Sequence, residues 1–367
     1  MKRFVGIMVG LVVLASFFFA GSLVSAQDED TAAAAVAEAN FVKIGILQFA
    51  PHASLDNCYE GIIEGLKNTG FIDGISATIE FVNGMGEIET NNLAAAGFVS
   101  KNYDMIIAIA TPSAVAAYAA ARDAQIPVVF SAVSDPVGAK LVQDLNAPGG
   151  NITGTSDSLN TDAIMDLILS LDFPDSGATG TTDTLNFEGQ LKMIRAFLPE
   201  AKTIGVLYTT SEANSISQIE SLTEAAKDYD FEIKKVGITD ASEVAMGAAQ
   251  LIAEKIDVMN NVTDNNVVNN FSVVTNATDP AGIPVFGSEI EQVARYGCVA
   301  SESLDYVALG ILTGEMAGEI LKGEDIMTMP VRVVKDSFPV YNSEIMSKFE
   351  LQLPADYASA TDVAGAR

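Results

Sequence analysis

The sequence IIAIATPSAVAAYAAA, residues 106–121, places two hydroxyl side chains where an apolar run gives way to an alanine-rich segment. The apolar run predicts a buried strand, Thr111 suits a helix N-cap, and Pro112 suits the first helical position because its missing N–H is not needed there. The N–H groups of such a helix start favour an anion by about 0.3 to 1 kcal/mol when exposed and up to about 2 when partly buried. Thr111 and Ser113 would then hydrogen-bond a ligand carboxylate. A helix cap without a ligand is the simpler alternative.

A similar arrangement follows in the next predicted strand. The segment SAVSDP places Ser131, Ser134 and Asp135 directly before Pro136, at the start of the predicted helix PVGAKLVQDL. Both of these neighbouring strands thus end in hydroxyl groups followed by a predicted helix start. This repetition favours a binding site for a carboxylate over two unrelated helix caps.

The chain alternates short apolar strands with amphipathic helices from Phe41 onward, and does so in two series. The first runs from VKIGILQF to the helix after IPVVFSAV, and the second from AKTIGVLY to IEQVARYG. This alternation predicts an α/β fold with two doubly wound parallel-sheet lobes. Between the series lie a predicted helix, Thr161 to Leu171, and a Gly, Thr and Asp-rich stretch that is typical of a linker or insertion. The segment from Cys298 onward predicts a strand that returns toward the first lobe, followed by its helix.

Ligands of doubly wound sheets bind beyond the carboxyl ends of the strands, so the side chains in the loops at those ends are the candidate site. The candidate ligand-binding residues are Gln48, Phe49, His52, Leu55, Thr111, Ser113, Ser131, Ser134, Asp135, Ser156, Asp157, Tyr208, Ser211, Asp264, Ser288, Glu289 and Asp305. Thr209, Thr263 and Asn265 belong to the same loops.

The first 40 residues precede the predicted lobes. Residues 1–26 resemble an export signal, with Lys2 and Arg3 before an apolar stretch and Val24-Ser25-Ala26 as a small-residue cleavage site. An uncleaved anchor is the alternative, because residues 4–26 carry no charge and about 20 apolar residues can span a bilayer. Residues 27–40 are acidic and alanine-rich and predict a spacer. These features predict a secreted, periplasmic or cell-surface protein.

Composition argues against several classes of function. The 48 acidic and 20 basic residues give a net charge of −28, which repels nucleic-acid backbones and mainly keeps the protein soluble. His52 is the only histidine, and no Gly-x-Ser-x-Gly elbow supplies a nucleophile, so the sequence predicts no serine-hydrolase triad, no histidine-rich metal site and no cofactor. Cys58 and Cys298 are expected to be two buried thiols, with a single bridge as the alternative if they meet.

An ordered series of motifs carries a resemblance to a known family. The segments GILQFAPHASLDNCYEGIIEGLKNTGF, IAIATPSAV, VVFSAVSDPVGAKLV, PGGNITGTSD, IGVLYTTSEANS, VTDNNV and PVFGSE with LDYVALGILTGEMAGEIL occur in the order seen in ABC-transporter substrate-binding proteins. From about Phe41 to Pro354 the chain resembles the tryptophan-type (TrpX) members of that family. The resemblance implies a periplasmic-binding-protein type I fold, in which two lobes joined by three crossings close over an amino acid.

The resemblance also implies domain boundaries and residue roles. Residues 41–155 with about 300–336 would form the first lobe, residues 156–299 with about 337–354 the second, and residues 355–367 a tail. Thr111, Ser113 and the SAVSDP loop match positions that hold the ligand carboxylate, and the loop from Gln48 to Leu55 matches a wall over the ligand side chain. Tyr208, Asp264 and Glu289 match cleft positions of the second lobe. Glu289 is the first choice to pair with the ligand α-ammonium, and Asp305 or Asp157 is next.

The chain also departs from the family pattern. About 26 extra residues, Thr161 to Asn186, follow TGTSD, which leaves open whether Asp157 or Asp183 faces the ligand. A proline expected beside Thr263 is missing.

The function implied by the resemblance is a monomeric, extracytoplasmic solute-binding protein. It would capture an amino acid-like ligand, aromatic or apolar, and deliver it to the permease of an ABC importer, without catalysis. Two alternatives remain at this stage: a ligand-sensing module for a separate membrane receptor, and a carboxylate-based hydrolase.

Overall fold

The computed structural model describes residues 41–146, 148–156, 178–183, 186–334 and 337–366. The predicted signal peptide, the spacer, the helix Thr161 to Leu171, Asp157 and most of the extra segment lie outside the described residues. Contacts divide the chain at residue 41, and all elements below belong to the unit Val42–Arg367. Among the described residues, no helix combines the length and the apolar character needed to cross a bilayer.

The described strands are short, as in most α/β proteins. Their bounds are β1 Val42–Gln48, β2 Ala77–Asn83, β3 Met105–Ile109, β4 Val128–Val133, β5 Ile152–Ser156, β6 Ala178–Asp183, β7 Thr203–Thr209, β8 Glu232–Ile238, β9 Val258–Asn260, β10 Val285–Phe286, β11 Ala300–Ser303, β12 Arg332–Val334, β13 Phe338–Tyr341 and β14 Thr361–Asp362.

The helices lie between the strands. Their bounds are α1 Ala53–Asn68, α2 Ile88–Ser100, α3 Thr111–Ala121, α4 Phe187–Phe197, α5 Ala213–Ala225, α6 Val244–Ala253, α7 Asn265–Asn269, α8 Phe271–Thr278, α9 Ile290–Arg295, α10 Tyr306–Leu321 and α11 Ser343–Lys348. Single 3₁₀ turns occupy Ala226–Tyr229, Ala241–Glu243, Asp279–Ala281 and Ala355–Tyr357.

Two parallel sheets form the centres of two lobes, which confirms the predicted fold class. The first sheet has the order β12-β6-β5-β4-β3-β1-β2 and the second the order β10-β9-β7-β8, with every pairing parallel. All five residues of β3 are buried, and alternate ones enter the apolar clusters on the two faces of the first sheet. A strand covered on both faces reads as a continuous apolar run, which is why the sequence identified β3 and β4 so clearly.

A small third sheet lies against the second lobe. It has the order β11-β13-β14, and β11 pairs with β13 antiparallel. We define the first lobe as residues 42–156, 178–183 and 304–334, and the second lobe as residues 186–303 and 337–363. The strand β11 therefore packs with the second lobe, although the sequence analysis placed residues from about 300 in the first. Likewise β14, within the predicted tail, pairs with β13, and β6, within the predicted linker, joins the first sheet.

The predicted helix after Pro136 is wrong. Residues 136–140 form turns, in which the Asp135 carboxylate accepts a hydrogen bond from Gly138 N at 2.7 Å and the Asp135 carbonyl accepts one from Ala139 N at 2.9 Å. Lys140 has a φ of 59°, in the left-handed region, which stops the turns from continuing as a right-handed helix.

The two cysteines are buried in different lobes. Cys58 lies in an apolar cluster of the first lobe with Ile62 and Leu66, and Cys298 lies in a cluster of the second lobe with Val285 and Val293. The structure therefore does not bring the two thiols together.

Helices α1 and α10 pack against each other through glycines. A Cβ on Gly61 would lie 2.1 Å from the Val307 carbonyl oxygen, and a Cβ on Gly314 would lie 2.3 Å from the Ile62 carbonyl oxygen. Gly65 and Gly310 face the opposite backbone equally closely, at 2.2 Å. The spacing Gly-x-x-x-Gly in both helices thus lets the two backbones touch. Both helices begin at the face where the lobes meet, so this contact positions their N-terminal residues.

Candidate functional site

A narrow pocket with a cavity volume of about 20 Å³ lies between the two lobes. The first lobe contributes the ends of β3 and β4 and the starts of α1, α3 and α10, and the second lobe contributes residues near the starts of α5, α7 and α9. The lining residues are His52, Leu55, Ala110, Thr111, Ala132, Ser134, Asn214, Thr263, Asn265, Val268, Glu289 and Tyr306. The strand ends of both sheets thus meet at one site, as expected for doubly wound folds.

Hydrogen bonds join the lobes at one side of the pocket. Ser54 Oγ, in α1, lies 2.6 Å from Glu289 Oε2 and 3.1 Å from Glu291 Oε2, and Asn57 Nδ2 donates to Glu291 Oε1 at 2.5 Å. Ser54, Glu289 and Glu291 are all buried. The two lobes are therefore in direct contact, in a closed arrangement.

A second set of hydrogen bonds joins the lobes on the β4 side. Gln218 Nε2 donates to Ser134 Oγ at 2.8 Å and to Thr263 Oγ1 at 2.5 Å, and the Ser134 and Thr263 hydroxyl oxygens lie 3.3 Å apart. Ser217 Oγ donates to the Asp135 carboxylate at 2.7 Å. The SAVSDP loop therefore fastens the first lobe to α5 of the second lobe, and within it Ser134 lines the pocket while Asp135 does not.

The Thr-Pro-Ser corner differs in detail from the prediction. Ala110, not Thr111, is the N-cap of α3, and Thr111 is its first residue, so the predicted cap is one position too late. The side chain of Thr111 makes no capping bond, and within the described residues its buried Oγ1 has no hydrogen-bond partner. Ser113 Oγ instead donates to Asn91 Oδ1 at 2.6 Å and does not line the pocket. The structure thus leaves the Thr111 hydroxyl and the start of α3 to face the pocket.

Two alanines of the pocket wall have strained backbones. Ala110 has a φ of 76° and Ala132 a φ of 53°, at the ends of the neighbouring strands β3 and β4. Non-glycine residues in this region cost about 1 to 3 kcal/mol each and concentrate at functional sites. The strain turns the chain sharply at both strand ends, beneath the pocket.

Burial lowers the pKa of His52 below its ordinary value, which favours the neutral ring in the closed arrangement. Its Nε2 lies 3.3 Å from Asn265 Oδ1, and Asn265 Nδ2 donates to Glu212 Oε2 at 2.6 Å. The Asn265 oxygen is therefore an acceptor, which assigns the proton of the His52 ring to Nε2 and leaves Nδ1 as an acceptor. Among the described residues, nothing hydrogen-bonds this Nδ1.

A buried glutamate supports the amides on the second-lobe side. Glu212 accepts from Asn265 Nδ2 and, at 3.3 Å, from Asn214 Nδ2, and its burial raises its pKa to about 8. Asn214 Nδ2 also donates to the Thr263 carbonyl at 2.9 Å, which fixes the orientation of the amide. The Asn214 Oδ1 atom is buried and has no partner within the described part of the chain. Sequence analysis missed both Glu212 and Asn214, although they lie in the quoted motif IGVLYTTSEANS.

Asp264 stabilises a loop and does not line the pocket. It is the N-cap of α7, where it accepts from Val267 N at 2.9 Å, and it also accepts from Thr209 N at 2.5 Å and Ser215 Oγ at 2.7 Å. Burial raises its pKa. Its neighbours Thr263 and Asn265 line the pocket instead.

Glu289 brings a carboxyl group into the pocket. It is 2 % exposed, and burial raises its pKa above the ordinary value of 4.5, opposed by hydrogen bonds from Ser54 and Gln292. The pocket therefore combines an acid and two acceptor atoms with a hydroxyl at a helix start.

A family model described as ABC transporter substrate binding protein matches residues 43–175 and 160–363. The chain belongs to this family. It is therefore an extracytoplasmic solute-binding component of an ABC transporter, a class of binding proteins and not a class of enzymes.

Relatives of this substrate-binding protein share most of its length. The tyrosine-binding protein of Clostridioides difficile (strain R20291) is 37 % identical over 314 residues, which cover 85 % of this chain and 82 % of the relative. A Streptococcus pneumoniae ABC domain in complex with L-Trp is 30 % identical with a TM-score of 0.77, and the match covers 88 % of this chain and 98 % of that one.

A third relative is an open, ligand-free structure. The ligand-free, open structure of a substrate binding protein with adhesive properties from Clostridium difficile is 36 % identical, with a TM-score of 0.61 and coverage of 88 % of this chain and 99 % of that one. This score is lower than that of the L-Trp complex although the identity is higher. When two lobes are rotated relative to each other, the TM-score over the whole chain falls even if each lobe matches well. The lower TM-score against the open structure therefore agrees with the closed arrangement of this substrate-binding protein.

Several predicted site residues lie near the pocket without lining it. Gln48 Nε2 donates to Asp56 and to the Ala50 carbonyl, Phe49 packs in the first-lobe core, and Ser131 Oγ accepts from Thr313. The side chains that the structure does bring to the pocket from the predicted set are His52, Leu55, Thr111, Ser134 and Glu289.

The remaining predicted site residues do not line the pocket either. Tyr208 packs against the second-lobe core, Ser211 is exposed, and Ser288 Oγ accepts from Gln292 Nε2 at 3.2 Å. Asp305 is exposed and caps α10, where it accepts from Ala308 N at 2.9 Å. The side chain of Ser156 and all of Asp157 lie outside what the structure describes.

Sequence analysis also missed Tyr306 and Val268. Tyr306 directly follows Asp305 in the sequence. Asp305 was chosen as a candidate because its side chain is charged, but Tyr306 is the residue that lines the pocket. Val268 directly follows the quoted motif VTDNNV, and an apolar side chain there has no chemical signature that separates it from core.

Proposed function

We propose that this substrate-binding protein captures an aromatic L-amino acid as a zwitterion between its lobes and delivers it to the permease of an ABC importer. The observation that carries the proposal is the pocket itself. It gathers Glu289 with two unpartnered acceptor atoms, Asn214 Oδ1 and His52 Nδ1, and an unpartnered hydroxyl, Thr111 Oγ1, as judged within the described residues.

The ammonium end of the ligand requires acceptors. An α-ammonium group has three N–H donors, and Glu289, Asn214 Oδ1 and His52 Nδ1 are three acceptors in one pocket. An unpaired ammonium shut away from water would cost several kcal/mol, so a buried carboxylate is needed as its partner. Glu289 takes that role in the proposal.

The carboxylate end requires donors. The Thr111 hydroxyl, the N–H groups of the first turn of α3 and the positive end of its dipole supply them. Thr111 lies in the first lobe while Glu289 and Asn214 lie in the second. A zwitterion held at both ends would thereby bridge the lobes.

The side-chain end requires apolar surface. Leu55, Val268 and Tyr306 line the same pocket, and an aromatic ring would pack against them. The tyrosine-binding protein at 37 % identity and the L-Trp complex at 30 % identity support an aromatic ligand.

Capture would proceed by closure of the lobes. A ligand that touches both lobes favours the closed form by as much as it prefers that form over the open one. The closed form would then dock on the permease. The first 26 residues would direct export, and Glu289 with its partners would act in binding without catalysis.

A ligand screen tests this function. We expect L-tyrosine, L-tryptophan or L-phenylalanine to raise the melting temperature of the protein and to be recovered unchanged, while nucleosides and sugars do not. Isothermal titration calorimetry then gives the affinity. Stabilisation by a sugar alone, or chemical conversion of the amino acid, would contradict the proposal.

Thr111 and Ser113 offer a matched test of the carboxylate end. Thr111→Val keeps the shape of the side chain but removes the hydroxyl, and we expect a loss of affinity for L-tyrosine of about 10- to 150-fold, because a hydrogen bond to a charged group contributes about 1.5 to 3 kcal/mol. Ser113→Ala removes a hydroxyl that bonds Asn91, so we expect its effect on affinity to stay within about twofold. Equal losses in the two variants, measured by calorimetry, would argue against this role of Thr111.

A further inference from the structure

Ser54 lies between two carboxyl groups that belong to the other lobe. Its Oγ is 2.6 Å from Glu289 Oε2 and 3.1 Å from Glu291 Oε2. A serine hydroxyl has one hydrogen and can donate to only one of them. The second contact is a hydrogen bond only if that carboxyl carries a proton and donates it to the serine oxygen.

The surroundings make two ionised carboxylates costly at this position. Ser54 is 1 % exposed, Glu289 2 % and Glu291 8 %. Two negative charges facing one hydroxyl in a buried seam would repel each other, and each would lose its hydration. One shared proton removes both costs.

The remaining contacts decide which carboxyl holds the proton. Glu289 lines the pocket, where the proposed function needs its negative charge beside the ligand ammonium, and Glu291 does not line the pocket. Glu291 Oε1 accepts from Asn57 Nδ2, which leaves Oε2 as the oxygen that carries the hydrogen toward Ser54. The three contacts then form one directed chain of hydrogen bonds: Asn57 donates to Glu291, Glu291 to Ser54, and Ser54 to Glu289.

We propose that Glu291 is a positioning residue that is protonated in the closed form, and that capture of the amino acid therefore takes up a proton. The proposal rests on the proposed function, because it assigns the negative charge to Glu289. The proton fixes the Ser54 hydroxyl toward Glu289, which orients that carboxylate in the pocket. Asn57, Glu291 and Ser54 thus form a relay across the seam.

Other ionisable groups face this relay. Burial raises the pKa of Glu291 above 4.5 and the Glu289 charge raises it further, while Arg295 on the same helix lowers it. His52 faces Asp56 and Glu291, and Cys298 faces Glu289. His52 has a lowered pKa in the closed form, so closure releases its proton where the open form holds one. That release opposes the uptake by Glu291 and must be separated from it.

The sign of the effect follows from the raised pKa of Glu291 in the closed form. At a pH below 4.5, the ordinary pKa of a glutamate, Glu291 is protonated in both the open and the closed form, so closure takes up no proton. Above that value the open form is ionised, so closure takes up a proton and affinity falls as the pH rises. The fall is at most about tenfold per pH unit and ends at the raised pKa of the closed form.

The substitution Glu291→Gln gives a direct test, because a glutamine amide at this position can make the same two contacts without a proton. The experiment is calorimetry of the full protein with L-tyrosine and with L-tryptophan at pH 5.5 to 8, in two buffers of different ionisation enthalpy. For Glu291→Gln we expect a flatter pH profile and binding at least about tenfold tighter than wild type at pH 8. At pH 6 we expect wild type to take up more protons per ligand than the variant. Because the Glu291 charge also raises the pKa of His52, the same comparison in a His52→Gln background separates the His52 contribution.

The paired variant Glu289→Gln separates this inference from the proposed function. A loss of affinity in Glu289→Gln with tighter binding at pH 8 in Glu291→Gln supports both. A loss in both variants, or equal proton numbers for wild type and Glu291→Gln, overturns the relay and leaves the proposed function standing. Full affinity in Glu289→Gln overturns the ammonium assignment and the relay with it.

Discussion

Replacement of Glu289 by glutamine is expected to weaken binding of L-tyrosine and L-tryptophan by at least about 30-fold. Loss of one partner of a buried, hydrogen-bonded charge pair costs about 2 to 5 kcal/mol, because the other charge stays buried and unpaired. Glutamine keeps the size of the side chain and can still accept from Ser54. The variant should therefore fold, with a melting temperature without ligand no lower than that of wild type, since it also removes a buried acid whose pKa burial raises. Calorimetry and thermal denaturation measure the two properties.

Asp305→Asn is the control for this prediction. Asp305 is the alternative acid from the sequence analysis, but it is exposed and caps α10. Asparagine caps helices about as well as aspartate, so this variant should keep both stability and affinity. If Asp305→Asn loses affinity while Glu289→Gln keeps it, the ammonium partner has been assigned to the wrong residue.

The choice of Glu289 shows what the sequence can establish about this site. Its position after the strand PVFGS, in a fold whose ligands bind at strand ends, makes it one of several acidic candidates, and the family resemblance makes it the first choice among them. Thr111 was selected by the same argument, although the helix begins one residue earlier than predicted. Strand ends can be located from apolar runs, so residues that follow them directly are predictable. The roles of these residues in ligand binding stay predictions that the binding experiments test.

Residues that act through a partner on the other lobe could not be predicted in this way. Ser54 and Glu291 lie 237 positions apart, and only the closed arrangement brings their side chains together. Asn214 faces the pocket because Glu212 and Thr263 hold its amide, and no local pattern records that orientation. The turns after Asp135 were mistaken for a helix, because the periodicity of PVGAKLVQDL gives no sign of the left-handed backbone at Lys140. Tertiary contacts override local propensity at such positions.

The largest expected loss of stability concerns the glycines between α1 and α10. Gly61→Ala or Gly314→Ala is expected to lower the free energy of unfolding by about 3 kcal/mol or more, because the added Cβ would lie within 2.3 Å of a backbone oxygen of the facing helix. Neither backbone can turn away as a flexible side chain would, so the helices must separate. Urea or thermal denaturation of the protein without ligand measures the loss.

Gly97→Ala is the matched control, since Gly97 lies within α2 and a Cβ there would meet nothing within 4 Å. We expect it to be neutral or to stabilise the protein by up to about 1 kcal/mol, because alanine favours the helix. Equal melting temperatures for Gly61→Ala and Gly97→Ala would contradict the close packing. Since α1 carries Leu55 and Ser54 and α10 begins at Tyr306, separation of the two helices would also shift three residues that line or close the pocket. A variant that still folds should therefore bind L-tyrosine more weakly, which links the helix contact in the first lobe to capture of the ligand.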